Sequence, residues 1–374
     1  MKIGILTQPL KTNYGGLLQA FALQKYLKAS GYDVYTIDFE EIKQPKLFGI
    51  RGILKNIIQK YMFGKAGQPI TTDDKKFLYQ NRSQHTERFI LENIQTTQKI
   101  NHKDHLSFIK YYNFDAFVVG SDQVWRPAYN SSLSTFFLDF LDENDTDTKR
   151  ISYAASFGVD HCNEYSQEEI IKYSRLLEKF DLVSVREDSA VNLCNDVFKV
   201  KAHHVIDPTL LLSQNDYQEL INKDSLNLSE NEGDLMVYVL DKSESKKLII
   251  DTISNRLSLS PFTVMAHSEN DVFPPVTKWL KGFSDSKFVI TDSFHGVAFS
   301  ILFNKQFIAI GNKGRGLARF LSILKLFNLE NRLIHSVEGL EKVDLSTQID
   351  YKIVNEILDK ERIKASKLIN SSLN

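Results

Sequence analysis

The chain has 374 residues, 42% of them hydrophobic and 25% charged, the balance of a soluble globular protein long enough for two α/β domains. Its 46 basic and 47 acidic residues leave a net charge of -1, so no global field exists to hold a nucleic-acid backbone, and any anion site has to be local. Two cysteines, Cys162 and Cys194, exclude a disulfide framework and a Cys-x-x-Cys metal or redox pair, and they fit a reducing cytoplasm.

Lys2 to Leu6 predicts a first strand. Gln8 and Pro9 end that apolar-leaning run before it reaches the length of a signal-peptide core, and no later run approaches a membrane span, so a cytoplasmic location is expected. The loop Lys11-Thr12-Asn13-Tyr14-Gly15-Gly16 leads into an amphipathic helix from Leu17 to about Ala29, and Val34 to Phe39 predicts the next strand. This is a β-loop-α-β opening without the three spaced glycines of a dinucleotide fingerprint. A capping turn explains the Gly15-Gly16 pair as well as a binding loop does.

From Ile42 to Thr72 six basic residues (Lys43, Lys46, Arg51, Lys55, Lys60, Lys65) alternate with apolar ones, and no acidic residue intervenes. Such a basic amphipathic insertion suits either a helical lid with solvated lysines or a peripheral contact with an anionic membrane. His102 and His105 stand at helical i,i+3 spacing without further ligands, so no metal is expected and they read as solvent-facing.

Phe114 to Val119, Ile151 to Ala155 and Leu182 to Val185 predict buried strands, each ending in small or polar residues. The first delivers Gly120-Ser121-Asp122 and the last Arg186, positions at the carboxyl edge of a sheet where ligands bind. Arg186 is either a ligand clamp or an ion-pair partner of Glu187 and Asp188. His203, His204 and Asp207 read as structural, Asp207 as the cap of the turn at Pro208. The polar stretch Lys223 to Asp234 predicts a linker, after which strands at Leu235 to Leu240 and Phe262 to Met265 and a helix at Ser243 to Leu257 restart an α/β pattern.

The densest stretch runs from Lys287 to Gly316. Phe288 to Thr291 predicts a short parallel strand, Asp292-Ser293-Phe294-His295-Gly296 a turn, and Val297 to Leu302 a helix. Phe307 to Ile310 predicts another strand, opening into Gly311-Asn312-Lys313-Gly314-Arg315-Gly316, a cationic glycine loop ahead of a helix at Leu317. Glycines admit an oxyanion to backbone N–H groups, and the helix start adds a favourable dipole. One histidine and one cationic loop are therefore expected to face the same crevice, and a helical tail from about Tyr351 to Leu373 to close the chain. The expected class is α/β: two Rossmann-like domains, 1–225 and 233–345, with 346–374 returning to the first domain. That is a two-lobed architecture like that of the B-type glycosyltransferases.

Asn13-Tyr14-Gly15-Gly16, Gly120-Ser121-Asp122-Gln123-Val124-Trp125, Ser184-Val185-Arg186-Glu187, Ile206-Asp207-Pro208 and Thr291-Asp292-Ser293-Phe294-His295-Gly296 occur in an order that resembles the polysaccharide pyruvyl transferases. The resemblance spans roughly Lys2 to Arg332. It implies transfer from phosphoenolpyruvate to two hydroxyls of a sugar, leaving a cyclic pyruvate ketal and free phosphate, with no cofactor. It also implies that His295 is the acid. Many relatives carry arginine two places before that histidine, where this chain has Ser293, so the donor contact falls to Lys313, Arg315, Arg319 or Arg186.

The chemistry suits these residue types. A proton must reach the donor's methylene carbon while positive charge develops on the neighbouring carbon, which calls for a positioned acid with a pKa near neutrality. Carboxylate and phosphate call for cations. Asp122 and Asp292 are the candidate bases, with nothing to choose between them. Two alternatives stay open: a B-type glycosyltransferase using a nucleotide sugar, and a non-catalytic glycan-binding relative. The expected partners are phosphoenolpyruvate and a glycan acceptor, lipid-linked at the inner membrane face if the basic insertion binds membrane.

Overall fold

The computed structural model describes residues 1–41, 72–226, 228–266, 268, 270–311 and 316–373. The basic insertion and the cations Lys313 and Arg315 thus lie outside the described residues.

Among the described residues, six strands build the first half: β1 (Lys2–Leu6), β2 (Asp33–Thr36), β3 (Ala116–Val119), β4 (Lys149–Ser152), β5 (Ser184–Val185) and β6 (His203–His204). They run parallel in the order β2-β1-β3-β4, and the bridges Ile151 to Leu182 and Ala155 to Val185 attach the β5-β6 pair to β4. In the second half β7 (Leu235–Tyr238), β8 (Pro261–Phe262), β9 (Phe288–Thr291), β10 (Gln306–Ile310) and β11 (Leu333–Ile334) form a parallel sheet ordered β11-β10-β9-β7-β8. Every residue of β3 and β9 is buried. Both faces of a parallel sheet are covered, so its central strands read as unbroken apolar runs.

These are two Rossmann-like domains. In each, the chain steps from the first strand out to the second on one side, then crosses back to the third on the other. That reversal opens a crevice at the carboxyl ends of β1 and β3, and likewise of β7 and β9. The two crevices face each other.

Apolar packing spans the junction. The ring of Phe21, on the helix Tyr14–Ala29, lies 6.5 Å from that of Tyr217, which meets Phe299 edge-on at 5.1 Å. The terminal helix Tyr351–Leu373 ties the halves together: Tyr351 donates to the carbonyls of Ser300 and Lys305, while Arg362 donates to those of Leu210 and Leu212 at 2.8 and 2.6 Å. Among the described residues no helix is long and apolar enough to cross a membrane.

Among the boundaries that differ from the sequence reading, such as β2 at Asp33–Thr36 and β8 at Pro261–Phe262, three lie near the facing strand ends. The first helix starts at Tyr14 rather than Leu17, because the Asn13 side chain caps it by accepting from the Gly16 N–H. The β4 ladder ends at Ser152 rather than Ala155, because Ala154 takes a left-handed conformation, φ 50°. The helix expected from Val297 begins at Phe294. This last difference matters most, since it puts His295 inside a helical first turn instead of a loop.

Candidate active site

A cavity of about 620 Å³ lies between the facing strand ends, walled by Asn13, Asp122 and Tyr129 from one domain and by Ser293, His295 and Arg319 from the other. Three helices start at it: Tyr14–Ala29, Phe294–Leu302 and Leu317–Leu326. None carries an acidic residue in its first turn. The positive ends of three helix dipoles therefore converge on one space, which favours an anion.

His295 is 6% exposed, and its Nε2 stands 3.8 Å from Asp207 Oδ2 with no hydrogen-bond partner among the described residues. Burial pulls its pKa below the usual 6.5, against the carboxylates of Asp207 and Asp122, which pull it up. The other ring nitrogen faces Gly15 across the domain junction. A Cβ on Gly15 would sit 2.0 Å from His295 Nδ1. Only glycine leaves room for that ring, so Gly15→Ala is expected to displace the imidazole and to lower turnover by about 100-fold, since a misplacement of about 1 Å costs that much. Steady-state kinetics beside thermal unfolding checks this, because the fold should suffer far less than the rate.

Behind the crevice wall lies a buried ion-pair cluster. Arg186 donates to Asp207 Oδ2 at 2.8 Å and to Asp122 Oδ1 at 3.1 Å, and Arg319 approaches Asp122 Oδ1 at 3.8 Å. Both guanidinium groups lie over the ring of Phe294, at 4.5 and 5.6 Å from its centroid. Burial alone would raise the Asp122 carboxyl, but Arg186, His295 and Arg319 bring it down to about 2. Burial and the neighbouring Arg186 lower Arg319 to about 10, against the pull of Asp122 and Glu187. Arg319 thus lies between a like charge, Arg186, and the opposite charges of Asp122 and Glu187.

Several sequence expectations are corrected by this geometry. Arg186 does pair with carboxylates, but with Asp122 and Asp207, not with Glu187 and Asp188. Arg186 does not line the cavity, whereas Arg319, itself buried, does. Glu187 instead accepts from the Ser156 hydroxyl and the N–H groups of Phe157 and Gly158, at 2.8–3.0 Å, and braces that loop. Asp292 lines the cavity and accepts from the N–H groups of Leu240 and Asp241 at 2.7 and 3.2 Å and from Lys246 Nζ at 2.6 Å, so its carboxylate fastens the end of β7. Tyr14 is buried, with its hydroxyl on the Pro274 carbonyl at 2.8 Å. Gly16 serves the helix cap.

Gly120 and Ser121 lie beneath the crevice. A Cβ on Gly120, at φ 119°, would strike the Tyr153 carbonyl at 2.3 Å, and Ser121 donates to Ala154 O at 2.9 Å and to Asp207 Oδ2 at 3.2 Å. Asn13 and Ser293 do reach the wall, and the Ser293 side chain makes no capping bond to its helix.

Asp207 is the residue that sequence reasoning underrated. Its Oδ1 caps the Pro208 turn through the Thr209 N–H and hydroxyl at 3.0 and 2.8 Å, as the Asp-Pro-Thr pattern indicated. Its Oδ2 meets Arg186, Ser121 and His295, which no local pattern shows. Among the described residues no group of three or more His, Cys, Asp or Glu side chains could hold a metal ion.

The polysaccharide pyruvyl transferase family model matches residues 13–314. Comparison with curated proteins gives no match. Among solved structures, the UDP-GlcNAc 2-epimerase of Methanocaldococcus jannaschii is similar at 12% identity over 97% of this chain and 94% of that one, with a TM-score of 0.49. The UDP-GlcNAc 2-epimerase of Neisseria meningitidis is similar at 10% identity over 100% and 99%, TM-score 0.48, and a glycosyltransferase of Rickettsia africae ESF-5 at 13% over 100% and 97%, TM-score 0.46. With a match that covers most of the chain and takes in Asn13, Asp122 and His295, the chain belongs to the polysaccharide pyruvyl transferase family.

Proposed function

We propose that this protein transfers the pyruvyl unit of phosphoenolpyruvate to two hydroxyls of one sugar in a surface-polysaccharide precursor, forming a cyclic ketal and releasing phosphate. The observation that carries this reading is the convergence of three acid-free helix starts and Arg319 on an imidazole whose Nε2 lacks a hydrogen-bond partner among the described residues. An anionic donor fits the first two features, and its protonation requires the third.

In this account the donor's carboxylate and phosphate lie against Arg319 and the helix starts, with the Ser293 hydroxyl beside them. Arg319 takes over the contact that arginine makes in relatives at the Ser293 position. His295 gives its proton to the methylene carbon, which becomes the methyl group. The first sugar hydroxyl adds to the cationic carbon, and the second displaces phosphate. Of the two hydroxyl protons one restores His295 and the other leaves with phosphate. Asp122, held near a pKa of about 2, is a weak base, and attack on an oxocarbenium-like carbon asks little of one. Asp207 acts through others, holding Arg186 and facing the His295 ring. The protein needs no cofactor in this account and works in the cytoplasm.

The sign of the pH dependence follows. The acid form of His295 is populated below its pKa, which burial places under the usual 6.5 in the empty site, so kcat/KM is expected to fall as pH rises through that lowered value. Bound donor brings whole negative charges beside the ring and raises the pKa, so the corresponding fall in kcat should come at higher pH. Profiles with both falls at the same pH would count against His295 as the acid.

Acceptor-dependent phosphate release, measured over galactose-, glucose- and N-acetylmannosamine-containing acceptors, tests the reading together with thermal shifts. Phosphoenolpyruvate should stabilise the protein. Stabilisation by a nucleotide sugar alone would overturn the proposal.

A further inference from the structure

A second cavity, of about 520 Å³, opens beside the crevice on the first domain, between the chain after β2 and the helix Thr72–Asn93. Lys11 lines both spaces, so they are neighbours along one wall. Glu40 is held from two sides, by Lys11 Nζ at 2.6 Å and Lys99 Nζ at 2.8 Å. Asp38 is only partly buried, and its carboxylate accepts no hydrogen bond from the described residues. Glu87, Ser83 and Thr86 add further oxygen atoms, while Leu10, Ile90 and the ring of Tyr79 supply apolar surface.

The chemistry of this wall narrows the ligand. Three carboxylates, Asp38, Glu40 and Glu87, stand against two ammonium groups, Lys11 and Lys99, so the charges nearly cancel and neither a strong anion nor a strong cation is called for. A phosphate here would meet three carboxylates against two ammonium groups that Glu40 already engages. What the wall offers instead is carboxylate oxygens that can only accept, next to a half-exposed tyrosine face. A neutral ring that donates from its hydroxyls at the edge and presents C–H groups on one face matches both.

Resting on the proposed function, we infer that this cavity seats a sugar unit of the acceptor glycan, with Asp38 and Glu87 accepting from its hydroxyls and Tyr79 covering its apolar face. The cavity then selects the acceptor, while the crevice holds the donor. A glycan running past Lys11 places one unit before His295 and the next over Tyr79.

The test uses the full chain and p-nitrophenyl glycosides of galactose, glucose and N-acetylmannosamine, with binding read by saturation-transfer NMR. The wild type is expected to bind at least one, and Asp38→Asn and Tyr79→Ala each to weaken that binding about ten-fold, the worth of a hydrogen bond to a charged group or of a ring contact. Phosphoenolpyruvate should shift the melting temperature of both variants as it does the wild type, because neither residue touches the donor crevice. If a variant fails to fold, Glu87→Gln replaces it. Binding to no glycoside, or equal binding by wild type and variants, overturns the inference. A wild type that binds glycosides in this pattern but ignores phosphoenolpyruvate leaves the inference standing and overturns the donor assignment instead.

Discussion

Replacing His295 by alanine is expected to slow acceptor-dependent phosphate release by about 100- to 10,000-fold, the usual worth of a positioned general acid. The fold should survive. Among the described residues His295 Nε2 has no hydrogen-bond partner to lose, and its nearest carboxylate, Asp207 at 3.8 Å, stays bonded to Arg186, Ser121 and Thr209 when the ring is deleted. Because the ring is buried at a domain junction, a void replaces it, and a loss of about 1–3 kcal/mol of stability is expected. Donor affinity should change little if Arg319 and the helix starts carry it, so the loss appears in kcat rather than in KM. A variant that keeps more than a tenth of the wild-type rate would remove His295 from the chemistry.

Arg186→Ala is expected to do the reverse, with its main effect on stability. Arg186 is 3% exposed and satisfies two carboxylates, of which Asp207 is 2% and Asp122 7% exposed. Removing it strands both charges in a buried setting, and breaking such a pair from one side costs about 3–5 kcal/mol. The pH dependence has a definite sign. In the intact protein Asp122 titrates near 2, below its ordinary 3.8, so it contributes stability that is present above the ordinary value and is lost as pH falls through about 2. Without Arg186, burial dominates and the carboxyl pKa moves up, so the deficit should be largest near neutrality and shrink on acidification as the orphaned charges are neutralised. Urea unfolding at two pH values checks this. A deficit under about 1 kcal/mol, or one that grows in acid, would mean that water reaches the cluster and screens it.

Much of the frame was legible because parallel strands covered on both faces leave unbroken apolar runs. β1 and β9 lie where the pattern of residues puts them, and both strand-end turns, after Val119 and after Thr291, do open on the crevice. Short edge strands were harder: β8 has two residues, and a pair of ladder residues leaves no periodic trace. The site was legible by position but not by contact. Gly15 and His295 are far apart in sequence, and their close approach depends on how one helix start faces another, which no local spacing records. The same holds for Asp207, whose turn-capping role is local and visible while its second oxygen meets partners from three other segments. Arg186 was readable as an ion-paired residue; its partners were not, because the adjacent acids Glu187 and Asp188 point to the Ser156–Gly158 loop and to Lys325. Asp292 was legible by place, not by partner. A carboxylate at a strand end suits a ligand site and equally suits the N–H groups of the neighbouring strand end, and here the latter hold it.

The central claim is that a carbon unit moves from phosphoenolpyruvate to the sugar, and the most direct measurement follows that carbon. Phosphoenolpyruvate labelled with carbon-13 at its second carbon, incubated with an acceptor that supports phosphate release, is predicted to give a sugar product that carries the label as a ketal carbon bonded to two oxygens of one residue. Phosphate release with the label left in free pyruvate, or a product that gains a sugar unit and no label, would contradict it.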